Sequence, residues 1–393
     1  MTDEPAGSEI RLGITILVAS LDVFALAGAR LLLPLIALSA GTTTLFAGVL
    51  SALFSAGPML LSVSFGRWVD RSGSLAPVRI AGWLVVGGTI PFLLSGSVEA
   101  LLPVAAFIGA GAILGHVAAA RAVTSFGAGA DRSRNLGLLV FGYSLGQFAA
   151  PLAASWTYAH FGAGWAVALL GAAAVISLAA TRLPHHHYSV AEDGKVPIAD
   201  SESVIKLLKL ALLRRWIVIS SVIGTVQVIF PFLLSMQATE AGLPPQAAGI
   251  VLGCFAAGAA CSRLSVGAAT RRFSAPVICQ ALLWGSAAGY LLFSFLHDQL
   301  WLMLLSAILG FLIGMGAPVS IGQIYEAAPP ARANEAVGLG MAVTTCLQTL
   351  TPLAVGLIQG FAGTMSAIWL IPAMLLATSF AARGPRSPFI ERP

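Results

Sequence analysis

Apolar runs of membrane length dominate this chain and leave it few choices of fold. They fall at residues 12–37, 45–65, 78–94, 101–123, 136–158 and 161–180, and again at 216–236, 247–266, 276–295, 300–324, 336–361 and 364–382. Each run is about 20 residues long, enough to cross a hydrocarbon core of roughly 30 Å as a helix, which satisfies its own backbone hydrogen bonds in lipid. A polar stretch at 182–203 separates the two groups of six. The expected product is an all-α membrane protein of twelve transmembrane helices. They form two six-helix bundles, residues 1–182 and 213–393, joined by a cytoplasmic linker at 183–212.

Composition excludes other classes. With 58% hydrophobic and 9% charged residues, the chain lies far from the roughly 25% charge of soluble globules. No run interleaves Lys and Arg with aromatics, so no nucleic-acid partner is expected. Cys254, Cys261, Cys279 and Cys346 have no C-x-x-C spacing and no His companion; they read as small buried hydrophobes. The run His185-His186-His187 has no carboxylate or Cys at ligand spacing and reads as a solvated stretch, so no metal or cofactor is expected. No nucleophile elbow, P-loop or H-E-x-x-H is present, which argues against an enzyme or an ATP-driven pump. The first run follows the acidic start Thr2-Asp3-Glu4 and is too long for a signal-peptide core, so no cleavable signal is expected.

Alternate loops differ in charge. One side carries Arg67, Arg71, Arg79, Arg132, Arg134, the linker cations, Arg271, Arg272, Arg332 and Arg383; the other carries Glu99, Glu240 and Asp298 and no Lys or Arg. Basic residues concentrate on cytoplasmic loops, so both termini are expected in the cytoplasm and the protein in a cell inner membrane.

The two halves also repeat. A constant shift of 201 residues carries Gly48 to Gly249, Phe54 to Phe255, Gly57 to Gly258, Gly109 to Gly310, Gly115 to Gly316, Gln147 to Gln348 and Pro151 to Pro352. Between the second and third runs stands a charged turn, Gly66-Arg67-Trp68-Val69-Asp70-Arg71-Ser72-Gly73. This Gly-x-x-x-Asp-Arg-x-Gly spacing, with the duplicated six-plus-six layout, resembles the major facilitator superfamily of secondary transporters over residues 11–383. The resemblance implies two pseudo-symmetric bundles around a central cavity, opened to one side at a time. It also implies a conformational gate at Gly66, Asp70, Arg71 and Gly73, with Asp70 near the positive N-terminus of helix eleven.

Polar residues inside the spans are the candidates for chemistry, because an ionisable group at mid-bilayer costs about 2.5 to 3.5 kcal/mol on insertion scales. Asp22 lies about 15 Å into the first span, at 1.5 Å per residue. A carboxyl group there can take and release a proton near neutral pH, or serve as a structural hydrogen-bond partner. The resemblance puts it near the solute route. Arg30, on the outer half of the same helix, can hold an anion, gate the outer mouth or snorkel to headgroups. His116 can relay a proton or bind solute, or simply pack. Gln147 and Gln348, each four residues before a proline, can bond a polar ligand or a neighbouring helix. Gln227, Trp284 and Gln323 are further polar or amphipathic residues that can line the path or pack. Arg121, near the cytoplasmic end of its span, can snorkel, touch the signature turn or bind solute.

Two departures bear on the solute. Drug exporters of the superfamily carry an Arg just before the Gly-x-Gly of helix four, where this chain has Ala105, Ala106, Phe107 and Ile108 before Gly109. Their Gly-Pro-x-x-Gly-Gly of helix five is replaced by Ala150-Pro151-Leu152-Ala153-Ala154-Ser155. The leading expectation is therefore a monomeric transporter moving a small organic solute across the bilayer on a proton gradient. A multidrug/proton antiporter and a non-transporting receptor or scaffold are the alternatives.

Overall fold

The computed structural model describes residues 5–126, 130–183, 207–329 and 332–381. Beyond the backbone, positions 5–8, 62, 63, 66, 67, 70, 71, 130, 133, 334, 362–368 and 381 lie outside that description. The expected linker falls mostly outside it, as does the His185–His187 run.

The described chain is helical throughout. The first half contains α1 (Pro5–Ser39), α2 (Thr44–Ser72), α3 (Leu75–Ser95), α4 (Leu101–Thr124), α5 (Ala130–Phe161) and α6 (Ala163–Ala180). The second contains α7 (Ala211–Glu240), α8 (Pro245–Arg272), α9 (Ala275–Phe293), α10 (Gln299–Ala327) and α11 (Ala333–Ala381). Eleven helical stretches among the described residues are long and apolar enough to cross a membrane, and Trp369–Phe380 is a shorter apolar segment.

Two expectations are corrected. The charged stretch 66–73 is not a turn: α2 continues through it to Ser72, and only Gly73, at φ 77°, reverses the chain. Gly66 costs a helix interior about 1 kcal/mol and no more, so nothing stops the helix before a residue that can adopt a positive φ. Spans eleven and twelve, in turn, share one continuous helical assignment, α11, with Pro352 and Pro372 inside it. Its two limbs are not collinear, however. Gln348 donates to the Gly224 carbonyl on α7 at 3.1 Å, while Leu375 borders a cavity with Ile223, the neighbour of Gly224. A straight helix would hold 348 and 375 about 40 Å apart.

The 201-residue shift reappears as paired contacts. A Cβ at Gly109 of α4 would lie 2.8 Å from the Cα and carbonyl oxygen of Phe54 on α2; at Gly310 of α10 it would strike the Phe255 carbonyl on α8. Glycine lets these helix backbones touch, the usual way that helices associate in lipid. The same relation holds between halves. Gly48 of α2 abuts the carbonyl of Pro352 on α11, and Gly249 of α8 abuts the carbonyl of Pro151 on α5, each at 2.6 Å from a built Cβ.

Calling the end where α1 begins proximal and the other distal, these contacts between halves are distal. So are the hydrogen bond from Ser235 of α7 to the Leu31 carbonyl of α1 at 3.0 Å and the packing of Gly356 on Thr44 and Leu45. Further toward the proximal end, Arg263 of α8 donates to Ser144 of α5.

Candidate functional site

Asp22 is only 6% exposed. It points toward α4 and α6, and Ser177 of α6 donates to its Oδ1 at 3.2 Å. Room for the carboxylate comes from Gly115 on α4: a Cβ there would meet Oδ2 at 2.5 Å and Ala81 of α3 at 3.6 Å. Oδ2 itself is buried and has no hydrogen-bond partner.

Tyr143 of α5 borders this pocket. Its hydroxyl is also buried and unpartnered, and it stands in electrostatic contact with Asp22. Against its ring lies the His116 imidazole, 4.7 Å between centroids and 24° from parallel. His116 directly follows Gly115, and its side chain is exposed. Tyr143 thus neighbours both an exposed imidazole, on which it stacks, and a buried carboxylate, with its hydroxyl bonded to neither, all within otherwise apolar helices. Imidazole and phenol groups can pass protons. Sequence reasoning singled out Asp22 and His116 but missed Tyr143 and Ser177. Nothing in their surroundings marks them; only the register of α5 and α6 against α1 does.

Arg30 lies on another face of α1. At 100° per residue it is about 80° from Asp22, which meets α4, and about 100° from Leu31, whose backbone meets α7. It therefore projects between the face of α1 that carries Asp22 and the face that meets α7. Its Nε is buried without a hydrogen-bond partner. Arg263, a cation near the middle of α8, was overlooked in the sequence, although a basic residue inside an apolar run was signal enough.

The other candidates are dispersed. Gln147 and Gln227 are half-buried. Gln348 ties α11 to α7 through Gly224. Trp284 meets Phe380 edge to face, with centroids 6.2 Å apart, on α9 and the second limb of α11. Gln323 donates to Glu326 on its own helix at 2.7 Å. Arg121 donates to the Val69 carbonyl at 2.8 Å, so α4 does grip the end of α2 that carries the signature residues. Gly66 is within α2 and Gly73 caps it, while the Asp70 and Arg71 side chains are outside the described set.

The fold has close counterparts among solved structures. The nucleoside transporter NupG superposes with a TM-score of 0.81 over 94% of this chain and 98% of its own, at 13% identity. A POT family transporter in complex with 5-aminolevulinic acid gives 0.75 over 94% of each chain, at 12% identity. A peptide transporter POT gives 0.73 over 94% of this chain and 93% of its own, at 15% identity. Among curated proteins, none matches the chain in sequence. The sequence profile of the Major Facilitator Superfamily, by contrast, matches residues 12–352 and again 217–388. A polytopic helical chain with this duplication, this fold and this profile belongs to the Major Facilitator Superfamily, and is a membrane transporter rather than an enzyme.

Proposed function

We propose that the protein is a proton-coupled secondary transporter of a small organic solute, working by alternating access with Asp22 as its proton site. The observation that carries this reading is the Asp22 pocket. A carboxylate inside a membrane bundle, with one donor on Oδ1 and none on Oδ2, is poorly compensated when ionised. Taking a proton removes the charge; releasing it restores a charge that the pocket holds at a cost. A group with two such states can bias the packing of α1 against α4 and α6, and so couple proton occupancy to the arrangement of the halves. His116 and Tyr143 form the route by which the proton arrives.

Contacts between halves that gather at the distal end suit the state closed on that side. Asp70 and Arg71, at the proximal end of α2, would clamp the opposite state. The arginine-rich proximal loops favour a cytoplasmic proximal face in an inner membrane. The protein would act as a monomer. NupG is a nucleoside transporter and the POT proteins include peptide transporters, which fits a small polar organic cargo. A multidrug/proton antiporter remains the second reading, with an apolar cavity in place of a polar one.

The test is flux in proteoliposomes with and without an imposed pH gradient. Asp22→Asn keeps the shape of the side chain and is expected to abolish gradient-driven transport, at least about tenfold, a barrier change of about 1.4 kcal/mol. Retention of full proton dependence in this variant would exclude Asp22 as the coupling site.

A further inference from the structure

We infer that the solute is an oxyanion, a small molecule bearing a carboxylate or phosphate group, and that Arg30 seats it. The inference rests on the transporter reading above and adds the solute's chemical class. Arg30 lies in the outer half of a membrane span, yet no hydrogen bond or ion pair to it exists among the described residues, and its Nε is buried without an acceptor. A guanidinium held in lipid at a cost of kilocalories is normally paired.

Its own helix does not supply the partner. Asp22 is eight residues back, about 12 Å along the axis, and is engaged by Ser177 on a different face. The neighbouring half does not supply one either. Next to Arg30, α7 contributes Ser235, whose hydroxyl is spent on the Leu31 and Pro231 carbonyls.

Arg263 is not part of that seat: it meets Ser144 of α5, a stretch that packs beside Ser20 of α1, ten residues or about 15 Å short of Arg30. The ion pairs found among the described residues, Arg134 with Glu9 and Arg332 with Glu335, lie elsewhere. Among the described residues no fixed carboxylate stands against Arg30. Planar guanidinium forks match carboxylate and phosphate oxygens two at a time. The balancing negative charge arrives with the cargo.

The experiment uses purified full-length protein in detergent and reads melting temperature against a fixed set of probes. The set is inorganic phosphate, glycerol 3-phosphate, succinate and citrate, with succinamide and glycerol as uncharged counterparts and chloride as the ionic-strength control. At least one oxyanion is expected to raise the melting temperature saturably while the uncharged counterparts and chloride do not. Arg30→Gln should weaken that response at least tenfold and Arg30→Lys should retain part of it. Arg263→Gln, remote from that seat, should leave it unchanged. The inference is overturned if no oxyanion in the set stabilises the protein, if succinamide or glycerol does so equally, or if Arg30→Gln leaves the response unchanged. Proton-driven flux of a neutral solute such as uridine, lost in Asp22→Asn and kept in Arg30→Gln, would sink the oxyanion assignment while leaving the proton-site proposal standing.

Discussion

The pocket around Asp22 in the first half and the pocket around Ile223 in the second occupy the same place in the repeat. Asp22 shifted by 201 is Ile223, Gly115 becomes Gly316, and Ala81 becomes Leu282. Gly316 leaves room for Ile223 as Gly115 does for Asp22. In the second half, however, Ile223, Leu282, Leu283, Leu312, Ile313 and Leu375 surround a small apolar cavity. One scaffold has been filled twice, with an ionisable group on one side and hydrocarbon on the other. On the proposed reading the half that carries Asp22 exchanges the proton, and the other half is its stiff counterpart.

The largest expected effect tests whether the pockets differ in kind. Ile223→Asp places a carboxylate among leucines and isoleucines and should lower stability by about 3 to 5 kcal/mol, as unpaired buried charges do. Unchanged thermal unfolding in detergent would show the second pocket to be as tolerant as the first. Asp22→Asn should leave unfolding within about 1 kcal/mol of the parent while removing proton-driven flux.

A second comparison concerns tightness. The Gly310 to Phe255 approach is closer than its counterpart Gly109 to Phe54. Gly310→Ala should therefore cost about 3 kcal/mol and Gly109→Ala about 1 kcal/mol, the range seen when rigid neighbours must move. Equal melting temperatures for the two variants would mean that the bundles are packed alike. The smallest effect belongs to Ser177→Ala, which removes one hydrogen bond to Asp22 and should cost about 1 kcal/mol. It should slow gradient-driven flux less than Asp22→Asn does; an equal loss would transfer the coupling role to the pair.

Much of the fold was legible in the sequence, because membrane thickness converts run length directly into spans. The repeat was legible too, since Gly48, Gly249, Pro151 and Pro352 must be kept where backbones touch. The direction in which a side chain faces was not. α1 is apolar nearly all round, so its sequence has no stripe to tell the bundle interior from the cleft. Family resemblance put Asp22 beside the solute route, whereas Ser177 and Gly115 turn it inward. The end of α2 was also misjudged, because a cluster of charges looks like a loop even when a helix carries it past the lipid. Arg263 was passed over because it falls inside an otherwise apolar run.

The paired contacts of Gly48 on Pro352 and Gly249 on Pro151 have a mechanical corollary. At Gly48 the close atoms are all backbone, of Pro352 and Gly356, while at Gly249 the Pro151 carbonyl is joined by the nearer side chain of Ser155. Being related by the same internal symmetry, the two contacts serve as two bearings, and a rigid half that lifts off one is levered off the other. On the alternating-access reading proposed above, opening at this end parts both contacts together, which denies ions a leak path in intermediate positions.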